Sequence, residues 1–408
     1  MPRGSYEVAP HLSGLRQQGE GEKAVAKSFD LFTPGPVNLS PEAREALGEP
    51  VLYHRSEAFQ RIWADLASDL KTAFATQDQV MVLTASGTGA MEAVVANLFS
   101  PGDQVLVPTN GKFSMRWAEI CEAYGVRAVR MDLRPGESPA PDCVGDALAR
   151  VGPTKGVFLT QCETSTGSLT DLRSVSRAIH DFESRRGHPI VVCSDSTTSF
   201  CVDELRKDAW GVDVVVAASQ KGMLCPPGLS FVSLSARARK LAEEAKASRY
   251  YFDFRKYLDS GRPPFTPAVS LVSAAGKSLK RILTLGLEDV WKANRAASRA
   301  LRLIVETAGL RPVAQNQSAA VVAFWVGDLS AEEIVRILRE DHGIVIAHGQ
   351  GELRGKILRV SGIGKPPSEI RLFAGAFETT LAGLGRRCDI KGIADPLKDI
   401  MEDARLWE

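Results

Sequence analysis

Val212-Asp213-Val214-Val215-Val216-Ala217-Ala218-Ser219-Gln220-Lys221-Gly222 is an apolar run that stops on a lysine. A Gly/Pro turn, Cys225-Pro226-Pro227-Gly228, follows it. The run reads as a buried strand and Lys221 as the residue at its end. A lysine placed there is costly unless its amine is neutral or paired. An ordinary solvated lysine is the plainer reading of Lys221 taken alone. A lysine that must form a Schiff base needs such a place, held by the fold and partly desolvated. The neighbouring segments decide between the two.

Outward from this strand, short Val/Ile/Leu-rich runs alternate with longer helical patterns. The runs cover 79–83, 104–108, 156–160, 189–194 and 229–234, and helical patterns cover 89–99, 114–124 and 172–185. This alternation predicts an α/β fold of βαβ units, with a mostly parallel sheet buried on both faces. One amphipathic helix is expected over 267–308, bridging to a smaller α/β unit. That unit has strands expected at 319–326, 344–346 and 356–360 and a closing helix at 367–384. Ser330, followed by Glu332 and Glu333, reads as the capped start of another helix. The expected division is an N-terminal arm (1–30), a large domain (31–285) and a small C-terminal domain (286–408). A chain of 408 residues has room for this, at ~100–200 residues per domain.

Hydrophobic residues make up 44% and charged residues 24%, as in soluble globular proteins. A net charge of +1 offers no field for nucleic acid, and the apolar runs are too short to cross a bilayer. The seven cysteines and six histidines are scattered, without Cys-x-x-Cys or His-Glu-x-x-His spacing, so no metal is expected. Reduced thiols and no secretory h-region after Arg3 point to a cytoplasmic protein.

Four segments carry candidate chemistry, each at a predicted strand end. Ala85-Ser86-Gly87-Thr88-Gly89 opens a helix; its small residues and helix N-terminus suit a phosphate, although a plain capped turn also fits. Glu163-Thr164-Ser165-Thr166-Gly167 offers hydroxyls, or simply a capped loop. Asp195 ends a buried strand, where an acid would pair with a cation or a protonated ring nitrogen, or cap the next segment. Lys221 is the fourth. Together they form the set that a phosphorylated pyridine cofactor requires, placed where open α/β sheets bind ligands.

At these residues the chain resembles the class V aminotransferases of pyridoxal phosphate fold type I, near the alanine–glyoxylate and serine–pyruvate enzymes. The resemblance spans about residues 31–385. It is carried by Thr33-Pro34-Gly35-Pro36, His54-Arg55-Ser56, 86–92, Asn110-Gly111-Lys112-Phe113, 163–167, Ser219-Gln220-Lys221, 265–271 and 355–359. It implies a seven-stranded, mostly parallel large domain and pyridoxal 5′-phosphate as cofactor. Lys221 would form the Schiff base and move the Cα proton. Asp195 would pair with the pyridinium, Phe113 would stack on the ring, and Thr164 would reach its phenolic oxygen. Ser86, Gly87, Thr88 and Gln220 would hold the phosphate. Thr266 would reach the phosphate in a neighbouring subunit, which implies a homodimer with shared active sites. Arg359 would grip the substrate carboxylate, and the Gly35 turn would line the substrate side.

Gln161, Cys162, Pro263, His348, Ser361 and Ser114 depart from the family pattern, and several of these positions are expected to face substrate. The activity implied is ping-pong transfer of an amino group from alanine or serine to glyoxylate or pyruvate. The rivals are a lyase or desulfurase on the same cofactor, an aminotransferase for an unusual biosynthetic substrate, and a non-catalytic binding protein. Cys388, the one late cysteine, lies poorly for a desulfurase nucleophile, and intact Lys221, Asp195 and Arg359 argue against a non-catalytic role.

Overall fold

Seven strands form the main sheet: β1 (Val80–Leu83), β2 (Gln104–Thr109), β3 (Arg127–Asp132), β4 (Gly156–Thr160), β5 (Val191–Asp195), β6 (Val214–Ala218) and β7 (Ser230–Leu234). They come from a computed structural model that describes residues 29–408, so nearly all of the expected N-terminal arm lies outside the described residues. The strand order is β1-β7-β6-β5-β4-β2-β3, with β7 alone antiparallel to its neighbours. Every residue of β1, β4, β5, β6 and β7 is buried. Their near-continuous apolar runs follow from helices covering both faces. The helix Gly87–Leu98 packs on β6 and β7, and Lys112–Ala123 packs on β2 and β3.

Strand β3 was not among the expected runs. It is an edge strand, and Arg127, Arg130 and Asp132 interrupt its apolar pattern. Edge strands bury little and often carry charge, which blunts unwanted pairing. The helices Glu57–Phe74 and Pro141–Val151 were likewise not anticipated.

The single helix expected over 267–308 is two helices, Val269–Leu285 and Leu287–Thr307. Gly286 separates them with φ +88°, a backbone shape that side-chain-bearing residues rarely adopt. The apolar periodicity runs on across the break, so periodicity alone did not show it. Glu288 and Asp289 in the first turn favour a fresh helix N-terminus there.

A second sheet contains β8 (Arg311–Pro312), β9 (Val322–Trp325), β10 (Ala347–His348) and β11 (Ile357–Val360), in the order β8-β9-β11-β10 and antiparallel throughout. The strand expected at 344–346 is divided. Ile344–Val345 leaves this sheet to pair in parallel with Asp30–Leu31, at the start of the described chain. The helix after Ser330 forms as expected, with the Ser330 hydroxyl accepting from Glu333 N at 3.2 Å. Leu358 and Val360 point into a core with Phe32, Leu301, Phe324, Phe373 and Phe377. Each such buried side chain contributes roughly 1.5–3 kcal/mol, which fixes β11 firmly. Arg359 alternates with these two residues and so faces the other side of the strand.

Candidate active site

The carboxyl ends of β1, β4, β5 and β6 lie along one edge of the main sheet. Thr160 pairs with Asp195 in register, and Asp195 with Val216. An edge of this kind is where doubly wound sheets bind ligands.

After β1, Ser86 caps the helix Gly87–Leu98, its hydroxyl accepting from Gly89 N at 3.2 Å. A Cβ on Gly87 would lie 2.9 Å from Thr197 Oγ1, so glycine lets the Thr197 side chain pack against this turn. Thr88 Oγ1 accepts from Arg116 Nη1 at 3.0 Å. Thr197 Oγ1 is buried beside Gly87, and Gln220 Oε1 is buried without a hydrogen-bond partner among the described residues. The N–H groups of that helix N-terminus and the Thr197 hydroxyl are donors of the kind that suit an anion.

Asp195 is buried, and its Oδ1 accepts from Thr197 N at 2.9 Å. Burial pushes its carboxyl above the usual range, while hydrogen bonds from Thr197 and the charge of Arg116 pull the other way. Arg116 also lies over the Phe113 ring, 4.8 Å from its centroid. Phe113 is half-buried in the first turn of the helix Lys112–Ala123. Thr164 Oγ1 is 2.7 Å from Thr198 Oγ1.

Lys221 is buried, and its Nζ donates to the Pro34 carbonyl at 2.6 Å. Its amine is lowered to about 8, chiefly by burial, with Cys162 and Asp195 opposing the shift and the charge of Arg359 adding to it. Gly35 has φ +120°, and a Cβ on it would lie 2.3 Å from Lys221 Cδ and 2.5 Å from Nζ. The turn can therefore close over the lysine only as glycine. Arg359 is buried in β11; its Nε donates to His348 O at 2.9 Å and its Nη1 to Thr164 O at 3.1 Å. Burial lowers its guanidinium to about 10. Two carbonyls thus fix the plane of the fork without neutralising it. Lys221, Arg359, Thr164, Phe113, Gly35 and Gln350 all line one cavity of about 320 Å³.

Thr266 is not part of this gathering. It is exposed and lines a separate groove of about 540 Å³ with His54, Arg55, Gln60 and Pro263.

The aminotransferase class-V family model matches residues 43–358. The chain belongs to the class V aminotransferase family. Several relatives resemble this aminotransferase over most of its length. The soluble hydrogenase small subunit of a Synechococcus strain is 35% identical, over 87% of this chain and 93% of that one. The L-aspartate–glyoxylate aminotransferase of Paracoccus denitrificans is 32% identical, over 87% and 91%. A crystal structure of an aspartate aminotransferase from Thermus thermophilus is 39% identical, covers 86% of this chain and 99% of its own, and gives a TM-score of 0.80.

Several residues of this aminotransferase that depart from the family pattern turn out to brace the site instead of lining it. Gln161 is held at both ends of its amide, donating to Glu204 O and accepting from Ser199 Oγ, each at 2.8 Å. Ser114 Oγ accepts from the backbone N–H groups of Asn110 and Gly111, fastening the turn before the Phe113 helix. Ser361 N donates to Phe32 O at 2.8 Å, joining β11 to the start of the described chain. Cys162 is buried, and burial, with Asp203 and Glu163 nearby, raises its thiol well above the usual range. His348 contributes its carbonyl, which holds Arg359.

Four contributors were missed as individuals in the sequence. The Glu163 carboxylate is fully buried and accepts from Phe113 N, Ser114 N and Ser165 N, so it caps the Phe113 helix from another segment. The signal was Gly111, a helix start with no capping side chain of its own. Arg116 and Thr197 gave no sequence signal, because only the fold brings them beside Thr88 and Gly87. Gln350 sat in a glycine-rich loop without any periodic pattern.

Proposed function

We propose that this aminotransferase carries pyridoxal 5′-phosphate and moves an amino group from a small amino acid to glyoxylate or pyruvate by a ping-pong cycle. One observation carries the reading. A buried lysine and a buried arginine, neither with a carboxylate partner among the described residues, share a small cavity at the carboxyl edge of the sheet. The residues present suit the cofactor. Ser86 and Gly87 open a helix whose N-terminal N–H groups suit a phosphate, the Thr197 hydroxyl lies beside Gly87, and Asp195 is a buried acid. When bound, the cofactor supplies an electron sink conjugated to the donor Cα.

The chain would do the rest. Arg359 grips the donor carboxylate with the remaining N–H groups of its fork. Lys221, with its amine lowered to about 8, is neutral in a useful fraction of molecules near neutral pH and takes the proton from Cα. Asp195 keeps the ring nitrogen protonated, Phe113 covers the ring face, and Thr164 orients the phenolic oxygen. Ser86, Gly87, Thr88, Gln220 and Thr197 hold the phosphate. Residues 31–285 would act as the large domain and 286–408 as the small one, with Arg359 brought over the site from the small domain. Thr266, exposed and remote from its own cavity, would serve the partner site in a cytoplasmic homodimer.

The test is a half-reaction. Purified protein loaded with the cofactor is mixed in turn with alanine, serine and aspartate, and the visible band of the lysine-bound cofactor is followed. Conversion to the amine form of the cofactor by at least one donor is expected, with recovery on adding glyoxylate or pyruvate. A stable band that no amino acid converts would favour a lyase or a non-catalytic protein.

A further inference from the structure

We infer that Gln350 reads the side chain of the amino donor and selects one that ends in oxygen. The inference rests on the aminotransferase reading and specifies its substrate. Lys221 and Arg359 line the same cavity, and the proposed cycle gives them two substituents of an amino acid's Cα, the proton and the carboxylate, with the amino group left to the cofactor. The side chain meets what remains of the lining. Much of it is apolar: Leu31, Pro34, Pro36, Val345 and Ala347. The hydroxyls in it have other partners, since Thr33 Oγ1 donates to Pro36 O at 2.6 Å and Thr164 Oγ1, which pairs with Thr198 Oγ1 at 2.7 Å, is assigned to the cofactor's phenolic oxygen. Gln350 differs, because its Oε1 is buried and has no hydrogen-bond partner among the described residues.

The position of Gln350 is set by the same strand that sets Arg359. Ala347 pairs with Arg359 in register, and His348 O holds the Arg359 Nε at 2.9 Å. Gly349 N then donates to Ile357 O at 2.9 Å, and Gln350 follows at once. The amide is therefore carried a few residues from the carboxylate clamp, on backbone tied to β11. An amide presents both an acceptor and N–H donors. It can accept from a hydroxyl or donate to a carboxylate, but it gains nothing from a methyl. An alanine side chain would leave the amide unsatisfied, a cost that sites built on hydrogen bonds convert into selectivity. The shared chemistry is a donor with an oxygen just beyond Cβ, such as serine or aspartate.

The experiment compares single-turnover conversion of serine, aspartate and alanine by the cofactor-loaded protein. At least one oxygen-tipped donor should exceed alanine by about tenfold or more. In Gln350→Leu the ratio of that donor's efficiency to alanine's should fall about tenfold, through the half-saturating donor concentration, with the resting cofactor spectrum unchanged. Gln350→Glu separates the two sources: it keeps an acceptor for a hydroxyl and repels a carboxylate, so aspartate should lose more than serine. Alanine as the best wild-type donor, an unchanged ratio in Gln350→Leu, or equal losses of serine and aspartate in Gln350→Glu would each overturn the inference. Wild-type protein that converts no donor at all would instead overturn the aminotransferase reading, and this inference with it.

Discussion

Two lysines are buried in this molecule close to the same strand, and their surroundings are opposite. Lys207 precedes β6 and is 1% exposed; its Nζ meets Asp78 Oδ2 at 2.7 Å and Asp208 Oδ1 at 3.2 Å, with Thr76 Oγ1 at 3.4 Å. Lys221 follows β6 and is 8% exposed; its Nζ has the Pro34 carbonyl at 2.6 Å and no ion pair among the described residues. Two guanidinium groups repeat the contrast. Arg237 is paired with Glu183 at 2.7 Å and Asp213 at 2.6 Å, while the more deeply buried Arg359 meets only carbonyls among the described residues. A buried charge with its counter-charges holds the fold together. A buried charge without them is a cost that stability does not explain, and such costs concentrate at functional sites.

The largest expected effect separates the two lysines by chemistry. Lys221→Met should slow the amino-donor half-reaction on the order of 10⁴–10⁶-fold, as removal of a nucleophile and base does elsewhere. Lys207→Met should leave the rate per folded molecule within about threefold, because Lys207 touches none of the proposed site. Single-turnover rates on both variants check this. Comparable losses in the two would end the distinction between paired and unpaired lysines.

The guanidinium contrast predicts a smaller effect. Arg359→Leu should raise the half-saturating donor concentration by about 10²–10³-fold, since a charge-assisted bidentate contact is lost. Arg237→Leu should alter it little and lower stability instead. Donor titrations with thermal unfolding of both variants decide the matter; an unchanged donor requirement in Arg359→Leu would remove Arg359 from the substrate site.

Much of this contrast is legible in the sequence. Lys221 and Arg359 stand inside apolar strand patterns, where a charge is conspicuous, and Asp195 ends one. The strands themselves were readable because burial on both faces leaves near-continuous Val/Ile/Ala runs. Lys207 was invisible: it lies in the irregular segment after β5, and although Asp208 stands next to it, its closer partner Asp78 comes from a turn far away in sequence. Glu163, Arg116 and Thr197 were hidden in the same way, since each acts on a segment far away in sequence. The break at Gly286 was missed because side-chain periodicity does not record a change in backbone hand. Sequence patterns report burial well, and they report which buried groups meet each other poorly.

A further effect, about tenfold per pH unit, concerns cofactor capture. Only the neutral amine of Lys221 attacks a carbonyl, and burial lowers that amine to about 8. Below that value the neutral fraction rises about tenfold for each pH unit, and above it the fraction saturates. The rate at which cofactor-free protein develops the visible band should follow this curve. A rate still climbing steadily through pH 10 would show that Lys221 has an ordinary solvated amine.

The smallest effect is on stability, and its sign distinguishes the two lysines. In the folded chain Lys221 titrates at about 8, against an ordinary value of 10.5 that the unfolded chain keeps. Below about 8 both states carry the charge, and the folded state bears the full cost of burying it. As pH rises from about 8 to about 10.5, the folded state has already shed a proton that the unfolded state still binds, so the cost falls away. Lys221→Met removes the charge altogether. In cofactor-free protein it should therefore stabilise the fold by about 1–3 kcal/mol at neutral pH, with the gain fading toward pH 10.5. Lys207→Met should destabilise by about 1–3 kcal/mol at neutral pH, because Asp78 and Asp208 lose their shared counter-charge; both are partly exposed, so water recovers some of the loss. Denaturant unfolding of both variants at pH 7 and pH 10 measures the two signs. If Lys221→Met also destabilised at pH 7, the unpaired lysine would be contributing to the fold, and its isolation from carboxylates would need a structural explanation.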